Sequence, residues 1–262
     1  MSHLLELQGV SKRFGGVQAV DSVDFYADPG EIVGVIGPNG AGNTTLFNIV
    51  TGFYSPDAGK INFDGHNLVG LKPNQITRVG VSRTFQAVRL FGAMTVLENA
   101  MVGQHTRTKA GVYGALFNTG HTRAEEQKVH SSAIEALAFF EDRLTPRINS
   151  LASELAYADR RRLEIARAMA TEPQLLLLDE PAAGMNPAEK EGLIELIGRI
   201  RDEKGYAIVL IEHDMPVIKG VSDRVVALDY GKKIAEGTYE EVAADPQVVA
   251  AYLGKAGSEG QS

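Results

Sequence analysis

The 262-residue sequence has no cysteine and no tryptophan. Without cysteine there is no disulfide framework, no thiolate zinc site and no cysteine nucleophile, and a reducing compartment is allowed. No run approaches the roughly 20 apolar residues that a membrane-spanning helix needs. The opening MSHLLELQGVSKRF lacks the apolar stretch of about 7–15 residues that marks a secretory signal. An excess of positive charge is missing too. Lys+Arg number 26 against 33 Asp+Glu, a net charge of −7, which argues against nucleic acid as a partner. Hydrophobic residues make up 44% and charged residues 23%, enough apolar material for a core and too much for a disordered chain. The expectation is a soluble, cytosolic protein that works at a membrane, if at all, as a peripheral subunit.

Short apolar runs alternate with helical periodicities, which predicts an α/β protein with parallel strands. Val23–Tyr26 alternates as a half-exposed strand does. Glu31–Ile36 reads as a buried strand, with a helix from about Thr44. Leu175–Leu178, bounded by Pro173 and Asp179, is short enough to favour a buried strand over a buried helix. Pro187–Glu203 reads as a helix with Pro187 in its first turn, and Tyr206–Ile211 and Arg224–Leu228 read as strands. Between about Thr95 and Ala170 the strand patterns stop. Arg123–Phe139 and Arg160–Ala170 read there as amphipathic helices, with a polar, glycine-rich loop or insertion over Gly103–His121. A strand-rich core over about 1–94 and 171–254 is thus interrupted by a helical subdomain over about 95–170. From Gly254 the chain (GKAGSEGQS) has too little apolar surface to pack, so 255–262 is expected to be a flexible tail.

The strongest chemical signal is Gly37-Pro38-Asn39-Gly40-Ala41-Gly42-Asn43-Thr44-Thr45, placed after a strand and before a helix. Three glycines let backbone N–H groups curl around a phosphate, and the helix aims its positive end at the same anion. Thr44 stands where a hydroxyl can ligate Mg²⁺. The pattern is the phosphate-loop pattern with Asn43 in place of lysine. Its companion is the leucine run that ends in Asp179-Glu180-Pro181. There Asp179 can hold Mg²⁺ and Glu180 can orient an attacking water.

The order and text of these motifs resemble the nucleotide-binding subunits of ABC transporters over nearly the whole chain. The resemblance implies a phosphate-loop NTPase core of the ABC ATPase type, with an N-terminal antiparallel β portion and an inserted α-helical subdomain. It also implies ATP and Mg²⁺ as ligands. By the same resemblance, Phe14 stacks on adenine, and Gln86 in SRTFQ senses the γ-phosphate through Mg²⁺. Ala156, Tyr157, Ala158 and Asp159 match the signature that caps a partner's ATP, Ala183–Pro187 the loop that communicates across a dimer, and His213 the γ-phosphate histidine. RTFQ, MTVLENAMVG, LEIARA, DEPAAGMNP and YLG look like the subunits that energise branched-chain amino-acid importers. Implied partners are a second nucleotide-binding subunit, identical or paralogous, and transmembrane permease subunits at the cytoplasmic face of the membrane. The trio Arg89-Leu90-Phe91 is an odd one for a solvent loop and suggests a docking surface for them.

Two departures from the family matter most. Asn43 carries no charge where lysine sits on the β- and γ-phosphates. A hydrogen bond to a charged group is worth about 1.5–3 kcal/mol, so the loss predicts a turnover roughly one to two decades lower. Ala158 replaces the signature glycine, where a methyl group can obstruct close approach to a phosphate, and Asp159 replaces the commoner glutamine. The readings that follow are a transport ATPase, a nucleotide-binding subunit that has lost hydrolysis, and a soluble ABC ATPase outside transport.

Overall fold

The computed structural model describes residues 3–104, 120–140 and 142–256. Strands β1 (Leu5–Phe14) and β2 (Val17–Ala27) form a hairpin, and β3 (Ile32–Ile36) leads through the glycine loop into α1 (Asn43–Val50). β4 (Ala58–Phe63), β5 (His66–Asn67), α2 (Pro73–Val79) and β6 (Val81–Arg83) follow. Then come α3 (Val96–Gly103), α4 (Gly120–Ala138) and α5 (Tyr157–Met169). The chain returns through β7 (Leu175–Asp179), α6 (Pro187–Lys204), β8 (Ala207–Ile211), α7 (Met215–Val221), β9 (Arg224–Asp229) and β10 (Lys232–Gly237), and closes with α8 (Tyr239–Ala244) and α9 (Pro246–Ala256).

Two sheets result. The smaller is antiparallel, in the order β2-β1-β4-β5. The larger runs β10-β9-β3-β8-β7-β6 and is parallel except for its β9–β10 edge. Every residue of β3, β7 and β8 is buried, because both faces of this sheet are covered. Successive side chains alternate between two cores. Leu176, Leu178, Ile208 and Leu210 face the core shared with the helices. Leu175, Leu177, Val209 and Ile211 face the core shared with α1 and the smaller sheet. A four-leucine run is what a strand with two dry faces requires.

Among the described residues no strand falls between β6 and β7, in keeping with the helical stretch expected there. Residues 105–119, most of the loop or insertion expected over Gly103–His121, lie outside the described residues. Gly103 ends α3 where a Cβ would come within 2.2 Å of the Arg167 carbonyl oxygen, so its small size is a packing requirement. At the other end α9 continues to Ala256, so Gly254–Ala256 form helix where a loose tail was expected.

Candidate functional site

The parallel strands β3, β6, β7 and β8 all end at one edge of the large sheet, and the functional side chains follow those ends. After β3, the glycine loop turns into α1. Gly42 caps that helix at φ 109° with no side-chain hydrogen bond. A Cβ on Gly42 would lie 2.5 Å from the Ala19 carbonyl oxygen, and one on Gly37 would lie 2.4 Å from that of Leu228. Both positions exclude a side chain. The uncapped first turn of α1 presents main-chain donors and the positive end of the helix, the combination that binds phosphate.

The loop borders a cleft of about 370 Å³ lined by Pro38–Thr45, Gln86, Glu180 and His213, with Val17, Gln18, Ala19 and Tyr230 on its wall. Expected site residues from four separate stretches of sequence therefore converge. Glu180 is their centre. Its Oε2 accepts from Gln86 Nε2 at 3.1 Å, and its Oε1 lies 3.1 Å from His213 Nε2. Glu180 has a left-handed backbone, φ 48°, at a non-glycine position. Such a conformation costs of order 1–3 kcal/mol and persists where the surroundings enforce it. Here its N–H donates to Ile211 O at 2.9 Å, which ties it to the end of β8.

Asp179, one residue back, is buried. Its Oδ2 accepts from Arg83 at 2.6 Å, while Oδ1 is buried without a partner. Thr44 is exposed on the cleft wall. An orphaned carboxylate oxygen and a free-standing hydroxyl are the hard oxygen donors that Mg²⁺ takes alongside phosphate oxygens. Among the described residues no group of three or more His, Asp or Glu could hold a metal by itself, so the residues fit a metal that arrives with nucleotide. Asn43 is 6% exposed, with Oδ1 unpartnered. No cation of the loop stands at this position.

Other expected residues lie elsewhere. Phe14 stands outside the cleft wall, half-exposed, edge-on to Tyr54 at 5.0 Å and under the Lys12 ammonium. Ala156 is the N-cap of α5 and gives it no side-chain bond; Tyr157 projects beside Gly184. Asp159 is buried against Arg162 at 2.8 Å. Ala158 is 5% exposed and belongs to the helical core. Its methyl packs inward within its own chain. Asn186 caps α6 in a capping box with Glu189. Of the Arg89-Leu90-Phe91 trio, Leu90 packs on the core, Arg89 stacks on Phe85, and Phe91 is 50% exposed. Near them a second cleft of about 390 Å³, lined by Thr51, Phe53, Phe85, Gly103 and Arg167, separates the sheet from the helices.

Sequence reasoning missed the buried charges that hold these loops. Glu212 accepts from the N–H groups of Ala182, His213 and Asp214. Burial pushes its carboxyl above the usual range; those N–H groups pull it back and the charge of Glu180 adds to the rise. On α5, Arg161 donates to the carbonyls of Phe85 and Gln86, and Arg167 to that of Arg89. Glu164 sits between them, its carboxyl raised by burial against the pull of Arg167 and Arg161. The signal available was the spacing of these charges, three residues apart on a helix otherwise apolar on that side.

The sheet order, the uncapped helix after β3 and the carboxylates after β7 define a phosphate-loop ATP-binding cassette. The family described as "ABC transporter" matches residues 20–183, and that described as "Branched-chain amino acid ATP-binding cassette transporter" matches 232–258. The chain belongs to the ABC transporter family. It is 48% identical over 255 residues to the high-affinity branched-chain amino acid transport ATP-binding protein LivG of Escherichia coli K12, spanning 97% of this chain and 98% of that one. To the corresponding protein BraF of Pseudomonas aeruginosa it is 45% identical over 253 residues, spanning 97% and 98%. A nucleotide-free ATP-binding cassette from an ABC transporter matches its fold with a TM-score of 0.82 at 29% identity, over 96% of this chain and 99% of that one. An ABC transporter cassette in its ADP conformation matches at 0.83 and 29%, over 97% and 100%.

Proposed function

We propose that this chain is the ATP-binding and ATP-hydrolysing subunit that energises an importer of branched-chain amino acids. The observation that carries the catalytic assignment is the Glu180 carboxylate, held 3.1 Å from both Gln86 and His213 at the phosphate cleft. The substrate assignment rests on the branched-chain amino acid transport function of LivG and BraF, whose likeness spans 97% of the chain.

In this reading the backbone of Gly37–Thr45 cradles the phosphates and Phe14, with Tyr54 beside it, stacks on adenine. Thr44, Asp179 Oδ1 and Gln86 would hold Mg²⁺, which when bound neutralises charge on the phosphate oxygens. Glu180 accepts a hydrogen bond from the attacking water and turns its lone pair toward the γ-phosphate. Gln86 and His213 fix the two carboxylate oxygens, and His213 can swing its Nε2 to the phosphate as charge develops there. A second ATP-binding subunit closes the site with its own Ala156–Asp159, because an uncapped helix end suits an anion brought from outside. Permease subunits dock on the cytoplasmic face of the membrane near Phe91 and the second cleft.

Asn43 favours one alternative, a subunit that binds nucleotide without turning it over, because its buried side chain brings no charge to the phosphates. Phosphate release by the complex assembled with its permease decides between them. The first reading expects turnover above that of the Glu180→Gln complex and a rise with Asn43→Lys. Turnover equal to that of Glu180→Gln selects the second.

A further inference from the structure

Arg83, at the end of β6, is a largely enclosed cation paired with Asp179, and the mechanism above does not use it. Its side chain is 5% exposed and that of Asp179 is 1% exposed. Nη2 donates to Asp179 Oδ2 at 2.6 Å, and Nη1 donates to Asn48 Oδ1 at 2.7 Å and Thr51 Oγ1 at 3.2 Å. The guanidinium carbon lies 5.4 Å from the Phe47 ring centroid and 5.3 Å from that of Phe85. A planar cation is thus anchored by hydrogen bonds at its edge and by aromatic rings beside it. The fork leaves Asp179 Oδ1 as the unclaimed oxygen.

An aspartate shared with a fixed cation has one free oxygen and a partly neutralised charge. A divalent metal drawn to Asp179 must therefore accept a cationic neighbour at close range. We propose that Arg83 is a positioning residue for metal binding: the resident counter-ion of Asp179, which occupies Oδ2, leaves only Oδ1 for the metal and weakens the carboxylate's hold on it. A metal held there would draw the rest of its negative charge from phosphate oxygens. In the metal-free chain the same guanidinium spares Asp179 from being an unpaired buried charge. The proposal rests on the assignment of Asp179 to the metal.

The two roles have opposite signs, which makes them separable. Removing the charge by Arg83→Gln destabilises the metal-free fold yet strengthens metal binding. A merely structural ion pair would only destabilise. Calorimetry on the full chain measures ADP affinity with Mn²⁺ and with EDTA, and the ratio of the two is the metal's contribution. Arg83→Gln is expected to raise that ratio by about tenfold, the effect of one partly screened unit charge removed from the metal's neighbourhood. Arg83→Lys keeps the charge and should leave the ratio near that of the parent, and ADP affinity in EDTA should be unchanged in both. A ratio that stays level or falls in folded Arg83→Gln, while Asp179→Asn collapses it, overturns the role of Arg83 alone. A ratio unmoved by Asp179→Asn overturns the metal assignment and the proposal with it. Should Arg83→Gln not fold, nitrogen-15 NMR of the native arginine side chains gives the same answer. The Arg83 signals are expected to shift with Mg²⁺-ADP and not with ADP in EDTA, and signals that ignore the metal overturn the proposal.

Discussion

Asn43 takes a fixed charge out of a cleft whose main-chain cradle is intact, so binding should outlast catalysis. Asn43→Lys is expected to raise steady-state phosphate release by roughly one to two decades, with a tighter ATP complex. Adding Ala158→Gly should bring no second gain, because the methyl group it removes lies in the helical core. Its measurable effect is a lower melting temperature, because glycine removes a buried methyl and adds backbone freedom in the first turn of α5. In the Asn43→Lys background, Glu180→Gln should cut turnover by about two decades or more while ATP stays bound. Equal rates in that pair would remove Glu180 from the chemistry. The convergence of Gln86, Glu180 and His213 was foreseen from motif order, since each belongs to a recognisable string. Arg83, Glu164 and Glu212 were not. In a sequence a charged residue beside an apolar run reads as a solvated edge, and only the covering layers reveal it as buried.

At the level of elements, the strands with two dry faces were the most legible, because Leu175–Leu178 and Tyr206–Ile211 leave no alternative environment for so many apolar side chains. β1 was not read, because its pairing with β2 shifts register between Leu7 and Val10 and again before Arg13, which breaks the period of two. β5, at two residues, is too short to have a period. The connection between β8 and α7 carries a pH signature. Glu212 has its carboxyl raised by burial, so the folded protein binds its proton more readily than the unfolded chain does. The stability it contributes is present below the ordinary carboxylate range and is lost as pH rises through the folded value. Glu212→Gln removes that dependence. Melting curves should show the variant gaining on the parent as pH rises from the acid side toward neutrality. A gap that stays constant across that range would show that Glu212 is ionised equally in both states.

For the whole molecule, Phe91 is the test of where the chain meets its membrane partner. Phe91→Asp should abolish co-purification with permease subunits and leave ATP affinity of the isolated chain unchanged, because Phe91 lies outside the nucleotide cleft. Normal co-purification and transport would place the docking surface elsewhere. The division into a sheet-based core and a helical part was readable from where strand patterns stop, but the means by which one part grips the other was not. Beside the shared hydrophobic core, that grip includes the hydrogen bonds from Arg161 and Arg167 to the carbonyls of Phe85, Gln86 and Arg89. Helix α5 is tied through Arg161 and Arg167 to the segment that carries Gln86. A tilt of that helix against the sheet would pull on the Gln86 carbonyl, and Gln86 is the residue that donates to Glu180 Oε2. The helical part and the carboxylate thus share one residue as a common joint, a direct mechanical link through Gln86.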